Sequence, residues 1–525
     1  MKEKKKSDPE VLSLMKRRKK GLLKIVFSRF GVSALLLILQ IVLIYLVLEW
    51  CDEDLEWFTI AAGVFTVAMF LHLFRSDMDA TSKLTWLVFL LLFPIPISIL
   101  LWCTEKDIGH RRLSRRLREI HKETKKMIPQ DETVLSEPDI TDSSTDALCR
   151  FINLTACLPV YRDTEVRFFS LGEYKFEAMI EELRKAKRFI FLEYFIIDEG
   201  YMWGRILKIL AEKAAEGVEV RVMYDGMCEI STLSSDYPKR LARLGIKCKS
   251  FSKIYPFLST QYNYRDHRKI LVIDGRVAFN GGVNLADEYI NRRLRFGHWK
   301  DTAVMLRGRA VESFTLMFLQ MWNVSEKNEQ WDEFLSCSPA CEGRGFVMPY
   351  CDSPLDGYKV GECVYLDMIN RATKYVHIMT PYLVLDNELE MALKFAAQRG
   401  VDVKLILPGI PDKKAAYALA KSYYKYLIKE GVRIYEYIPG FVHAKIFVCD
   451  GVKATVGTIN LDYRSLYHHF ECGTYLYKTD CIQEIEEDFQ FTLGFCRSVT
   501  TETIAREKLS YRFLGSLAKL VAPLM

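Results

Sequence analysis

Two stretches of this 525-residue chain are written to one pattern. HRKILVIDGRVAFNGGVN begins at His267 and HAKIFVCDGVKATVGTIN begins at His443. His267, Lys269, Asp274, Gly281 and Asn284 fall at the same intervals as His443, Lys445, Asp450, Gly457 and Asn460. A single H-x-K-x4-D should arise by chance in about one chain in thirty of this size. Two, each extended by the same Gly and Asn, mark a duplication.

The surroundings repeat as well. Arg188 to Asp198 (RFIFLEYFIID) reads as a buried strand, followed by a helical stretch over Ile206 to Ala215, then Gly217 and the strand VEVRVMYDG. Lys374 to Asp386 (KYVHIMTPYLVLD), the helical Ala392 to Gln398, Gly400 and VDVKLILPG repeat that order. LARLGIKCKSF and YLIKEGVRIYEY match farther on. Helix, Gly, strand is the signature of a βαβ unit whose helix is capped by glycine. A repeat period of about 180 residues means a duplicated domain rather than a solenoid. The expected fold is α/β: two tandem βαβ-type domains, 148–335 and 336–525, packed about a pseudo-twofold axis around a shared active site.

ILVID and IFVCD are short apolar runs, so both motifs lie on strands, where side chains two apart share a face. His267 and Lys269 therefore point one way, as do His443 and Lys445. Asp274, an odd seven residues past His267, turns to the other face. Asp274 and Asp450 are thus expected to support the strand-to-turn bend, with Gly275 and Gly451, and not to touch substrate. Asn284 and Asn460 follow a Gly turn and can return an amide beside the lysine.

Two His, two Lys and two Asn around one axis make a pocket for a phosphate group. Ammonium and amide donors hold the non-bridging oxygens. One imidazole attacks phosphorus and the other protonates the leaving alcohol, a division of labour that histidine manages near neutral pH. Such a site needs no metal and no cofactor. Each imidazole also needs a partner on its other nitrogen. Glu471, eleven residues past Asn460, is the candidate in the second half. Asp301 in GHWKD is the candidate in the first, with Glu288 behind it. A lone strand histidine is more often structural, and His298, His377, His468 and His469 are read so.

Half of the residues are hydrophobic, and the excess sits near the N-terminus. Three apolar segments, 32–48, 57–74 and 84–102, are each about 18 residues, near the minimum for a spanning helix. They predict a membrane anchor over 30–104, between a basic cytoplasmic N-terminus (1–29) and a basic linker (105–147). Clusters from Lys16 to Arg29 and from Arg111 to Lys126 both ask to be cytoplasmic, which three full spans cannot satisfy. Pro94 and Pro96 can break the third segment. The expected location is the cell membrane, multi-pass, with the catalytic halves in the cytoplasm. The basic linker and the C-terminal KLSYRFLGSLAKLVAPLM can both meet anionic lipid headgroups, or pack on the protein. Fourteen scattered cysteines, with only Cys337 and Cys341 close together, form no zinc pattern and read as free thiols. No P-loop or G-x-G-x-x-G follows a strand, so a nucleotide role is not expected, and the three hydrophobic segments argue against a nucleic-acid partner.

At the two motifs the chain resembles the phospholipase D superfamily, whose signature is a duplicated H-x-K-x4-D. The hydrophobic anchor, the basic linker, GTINLDYRSL with a downstream Glu, and the apolar C-terminal end make it similar to the bacterial cardiolipin synthase family. That resemblance implies His267, Lys269, Asp274, His443, Lys445 and Asp450 as the catalytic motif residues. It also implies phosphate binding by Lys269, Asn284, Lys445 and Asn460. By the same analogy His267 is the nucleophile and His443 the general acid/base. The implied reaction moves a phosphatidyl group between two phosphatidylglycerol molecules through a phosphohistidine, giving cardiolipin and glycerol. Other anionic phospholipids and the bilayer are implied partners. A hydrolytic phospholipase D, another phosphatidyl transferase, a nuclease of the superfamily, or a non-catalytic lipid-binding scaffold are the alternatives. Two motifs in one chain imply a complete site without a second subunit.

Overall fold

A computed structural model describes residues 10–14, 42, 55–76, 78, 80–105, 108–141, 143–156, 158–252, 264–326, 331–335, 339–507 and 509–524. The first apolar segment, the basic cluster at Lys16 to Arg29 and Cys337 lie outside the described residues, residue 42 excepted. The chain divides into two compact units, one built of 1–15, 113–253 and 263–522, the other of 16–112, 254–262 and 523–525.

The larger unit carries both repeats. Its strands in chain order are β1 (Thr164–Phe169), β2 (Phe189–Tyr194), β3 (Glu219–Asp225), β4 (Lys247–Phe251), β5 (Arg265–Asp266), β6 (Lys269–Ile273), β7 (Val277–Gly281), β8 (His298–Lys300) and β9 (Ala303–Gly308). The second half continues with β10 (Phe346–Asp352), β11 (Tyr375–Met379), β12 (Asp402–Pro408), β13 (Arg433–Tyr437), β14 (Gly440–Val442), β15 (Ile446–Cys449), β16 (Lys453–Gly457), β17 (His469–Tyr477) and β18 (Cys496–Ser498). One sheet runs β1-β9-β7-β6-β2-β3-β4 and the other β10-β17-β16-β15-β11-β12-β13-β18. Up to the added edge strand β18 the two orders are the same. In each, three strands run parallel (β2, β3, β4; β11, β12, β13) and the motif hairpin pairs antiparallel beside them. Residues of β2, β6 and β15 are buried throughout, which explains why their sequences are apolar apart from Glu193 and Lys269.

The aspartate of each motif makes the hairpin. Asp274 and Gly275 take φ of 54° and 66°, Asp450 and Gly451 of 55° and 71°. Two left-handed residues in succession form the tight turn that suits a twisted hairpin, and Asp-Gly is its favoured pair.

The halves are stitched by exchange. β5, just before His267, runs parallel beside β17 of the second half, with His469 opposite Arg265 and Phe470 opposite Asp266. β14, just before His443, runs parallel beside β8 of the first half. The N–H of His267 then donates to the Phe470 carbonyl at 2.9 Å, and that of His443 to the Lys300 carbonyl at 2.7 Å.

The expected anchor of spanning helices finds no support among the described residues. In the smaller unit α1 (Leu55–Arg75) covers the second apolar segment and carries His72 and Arg75 in its last turn. The third segment is divided between α2 (Ala80–Leu92) and α3 (Pro94–Glu105), with the break before Pro94, which cannot donate its backbone nitrogen. Among the described residues no helix is long and apolar enough to cross a membrane, so the multi-pass expectation is not supported. Much of the stretch read as a linker is helical. α4 (Ile108–Thr124) buries Leu113 and Ile120, and Arg116 donates to the carbonyls of Asn323 and Glu326 at 3.3 and 2.8 Å.

Candidate active site

Where the exchanged strands meet, both imidazoles are buried and each is held by the other half. His267 Nδ1 lies 2.8 and 3.0 Å from the two carboxylate oxygens of Glu471. His443 Nδ1 lies 2.7 Å from Asp301 Oδ2. Asp301 and Glu471 are the two carboxylates singled out in the sequence, but each serves the histidine of the opposite half. Glu288 is elsewhere, near Arg293 and Arg295 at 3.7 and 3.8 Å.

With Nδ1 given to a carboxylate, each ring is left with Nε2 for chemistry. Lys269 is fully buried, its Nζ 2.6 Å from the carbonyl of His267. Lys445 Nζ bonds the His443 carbonyl and lies 2.9 Å from His443 Nδ1. Burial holds the lysines down, Lys269 to about 8 and Lys445 to about 7. Burial and then the charges of Lys269, His469, Lys445 and His443 hold His267 well below the usual imidazole range. His443 is held down to about 4 by burial and then by Lys445, against the pull of Asp301. All these groups act on one another, so the two motifs share one electrostatic site. Two lysines and two imidazoles converge there, with Asp301, Glu471, Asp266 and Asp462 acting on the lysines, a donor-rich arrangement that suits a phosphodiester.

The motif aspartates stand apart from this cluster. Asp274 accepts the N–H groups of Lys187, Arg188 and Phe189 at 2.8, 2.7 and 2.9 Å. Asp450 accepts those of Thr373, Lys374 and Tyr375, each at 2.8 Å. Both fasten the turn to the start of a parallel strand, as the odd interval implied, and the bonds they accept come from that strand's end and not from the motif histidines or lysines.

The asparagines differ. Asn284 Oδ1 accepts from Ile196 N–H at 3.1 Å and its Nδ2 donates to the Tyr289 hydroxyl at 2.8 Å. Asn460 is buried, and its Oδ1 has no hydrogen-bond partner among the described residues.

The walls were not foreseen. Tyr289 and Trp299 stand with ring centroids 5.4 Å from His443. Phe195 and His469 stand 4.9 and 5.3 Å from His267. Of the histidines read as structural, His377 is tied to Glu486 at 2.9 Å, but His469 lies in the site. Nothing in the phrase YHHFE separates His469 from its neighbour. Lys175, buried beneath the site, bonds the Val283 carbonyl at 3.3 Å, and no spacing signals it. Among the described residues two trios of possible metal-ligand atoms occur, the atoms within each trio lying within 4.8 Å of one another: His267, His469, Glu471, and Glu362, Asp386, Glu388. In the first, His267 Nδ1 is already committed to Glu471.

Comparison with known proteins agrees with this geometry. The family model described as "Cardiolipin synthase, PLD-like domain" matches residues 179–322 and 365–492. This chain belongs to that family. An uncharacterised protein of Streptococcus mutans is 56% identical over 87% of the chain and 99% of its own length. A cardiolipin synthase of Geobacillus sp. (strain WCH70) is 39% identical over 70% of the chain and 74% of its own length. The crystal structure of a phosphatidylserine synthase from Haemophilus influenzae superposes with a TM-score of 0.53 at 15% identity, over 73% of this chain and all of that one, and shows the common fold.

Proposed function

We propose that the chain is a phosphatidyltransferase making cardiolipin and glycerol from two phosphatidylglycerol molecules. The observation that carries this reading is the exchanged pair of carboxylate-seated imidazoles in a buried, lysine-lined site, within a chain of the cardiolipin synthase family. His267 Nε2 attacks phosphorus, and the bond from phosphorus to the glycerol oxygen breaks. His443 gives that oxygen its proton, and free glycerol leaves. The hydroxyl of a second phosphatidylglycerol then attacks the phosphohistidine while His443 takes its proton back, and the P–N bond breaks to release cardiolipin. Lys269, Lys445, Asn284 and Asn460 hold the non-bridging oxygens. The substrate's negative charge raises His443 from its resting value, as an acid catalyst requires.

The lipid substrate places the work at a bilayer, with the catalytic halves in the cytoplasm and the N-terminal helices at the membrane. Exposed apolar side chains support contact with lipid: Ile60, Val64, Val67 and Phe74 on α1, and Leu509, Phe513 and Leu517 on the C-terminal helix Leu509–Leu520. That helix turns Gly515 and Ala518 inward, so it packs on the protein and still presents an apolar stripe.

Purified protein incubated with labelled phosphatidylglycerol tests the reading. Cardiolipin is expected, suppressed by added glycerol, and absent from His267→Ala and His443→Ala. Phosphatidic acid as the main product would identify a hydrolase, and near-normal product from either variant would overturn the mechanism.

A further inference from the structure

The pseudo-twofold axis makes residues 299 and 469 equivalent. Each lies two positions before the carboxylate that seats the opposite histidine, on the strand beside which that histidine's own strand enters. Each ring stands almost equally far from its imidazole, 5.4 Å for Trp299 from His443 and 5.3 Å for His469 from His267. The residue types differ, and so does what their N–H groups meet. Trp299 Nε1 is buried with no hydrogen-bond partner among the described residues.

The proton on His469 is fixed by its neighbour. His469 Nε2 lies 3.2 Å from Nε of Arg464, and a guanidinium has only donors to offer. Nε2 must therefore accept, and the hydrogen of the neutral ring sits on Nδ1. Nδ1 is buried, has no hydrogen bond of its own, and faces Glu471 Oε1 at 3.5 Å. That is the oxygen 2.8 Å from His267 Nδ1. A distance of 3.5 Å is longer than a finished hydrogen bond, and bonds of this kind close when substrate orders the site.

We propose that His469 is a positioning residue for His267, acting through Glu471 and resting on the reading of His267 as nucleophile. Its Nδ1–H keeps the shared proton of the Glu471–His267 pair on His267 Nδ1. The need is physical. Burial pushes Glu471 well above the usual carboxylate range. A Glu471 that picked up a proton of its own from solvent would donate it to His267 Nδ1, and the single hydrogen of the neutral ring would then sit on Nε2, leaving no lone pair for phosphorus. Donors to the carboxylate oppose this: Thr458 Oγ1 bonds Oε2 and His469 faces Oε1. Trp299 has no such part in the other half.

The test compares three proteins by steady-state kinetics and by the rate of phosphohistidine formation mapped to residue 267 or 443. His469→Phe keeps a ring and removes the donor. His469→Asn restores it, because an amide can accept from Arg464 and donate to Glu471 at once. The Phe variant should lose about 10- to 100-fold in kcat, with KM and melting temperature little changed, and should form phosphohistidine at His267 correspondingly slowly. The Asn variant should recover to within about threefold of the parent in both rates, as expected if the donor is what matters. Equal activity of Phe and Asn variants, at any level, would overturn the proposal and reduce His469 to packing. Phosphate trapped on His443 in the parent protein would instead remove the nucleophile assignment beneath it, and a parent that makes no cardiolipin would remove the proposed reaction.

Discussion

Each half seats the other's histidine on a carboxylate, yet the two seats are built from different parts. Asp301 is short, and it reaches His443 because residue 282 is glycine: a Cβ there would stand 2.0 Å from Asp301 Oδ1. The N–H of Thr302 donates to the same carboxylate at 2.9 Å. At the matching place beside Glu471 stands Thr458, whose hydroxyl donates to the longer acid. The charge balance differs accordingly. His443 and Lys445 outweigh burial and hold Asp301 below the usual carboxylate range, whereas burial wins at Glu471 and pushes it up. A firmly ionised Asp301 suits a histidine that must carry a proton. A Glu471 that burial pushes up draws its imidazole less strongly toward the charged form, which suits one that must stay neutral until phosphorus arrives. Sequence duplication preserved the backbone device and let the chemistry of the two seats diverge.

The widest gap between the seats should open on replacing each acid by its amide. Asp301→Asn is expected to cost about 10³- to 10⁴-fold in kcat, the scale set by removing the charge behind a catalytic imidazole. Glu471→Gln should cost at least tenfold less, since burial already weighs against the charge there. The pH dependence separates them further. Asp301 favours the imidazolium of His443, so without it His443 binds its proton more weakly. The fraction protonated at a given pH falls, and the alkaline limb of kcat moves to lower pH. Glu471→Gln should leave that limb in place. Equal losses, or an alkaline limb that moves the same way in both, would show the seats to be interchangeable.

The motif aspartates offer a second contrast, in stability and not in chemistry. Asp274 is buried, so Asp274→Ala takes the acceptor from three N–H groups, that of Phe189 buried, and should cost about 3 kcal/mol. Asp450, at a partly exposed turn, should cost less in the same substitution because water can replace it. Denaturant midpoints measure both, and kcat per folded molecule should be nearly unchanged. A variant that melts normally but has lost turnover would return that aspartate to the active site.

These pairs also mark the limit of what the sequence discloses. Strand alternation alone turned Asp274 and Asp450 away from the lysines, and the hairpin bears that out atom by atom. Pro94 likewise announced the break in the third apolar segment. The exchange of carboxylates left no such trace. Spacing ranks Glu471 near Asn460 and Asp301 near Asn284, and only the crossing of β5 to β17 and of β14 to β8 delivers each acid to the distant histidine. His469 was hidden for a similar reason: its meaning comes from Arg464 and Glu471 in three dimensions, while in the chain it is one of two adjacent histidines.

Glycine 282 tests the shape of one seat directly. Gly282→Ala adds a single methyl group where Asp301 Oδ1 now rests, so the carboxylate must shift by the order of an ångström. A displacement of that size is worth about 10²-fold in rate when it misorients a catalytic group. The loss should fall on kcat with little change in KM, and the equivalent Thr458→Ala, which makes room, should not reproduce it.

The smallest effect is expected where one donor among several is removed. Thr458→Val keeps the shape of the side chain beside Glu471 and deletes the hydroxyl. One hydrogen bond to this carboxylate accounts for about tenfold in kcat, because His267 still holds both its oxygens. The direction is the informative part. Losing a donor raises Glu471 further and lowers the population of the His267 tautomer that can attack, so phosphohistidine formation should slow while the alkaline limb governed by His443 stays fixed. A Thr458→Val enzyme that slows only the second transfer, onto the incoming phosphatidylglycerol, would place Thr458 with the acceptor lipid and not with Glu471.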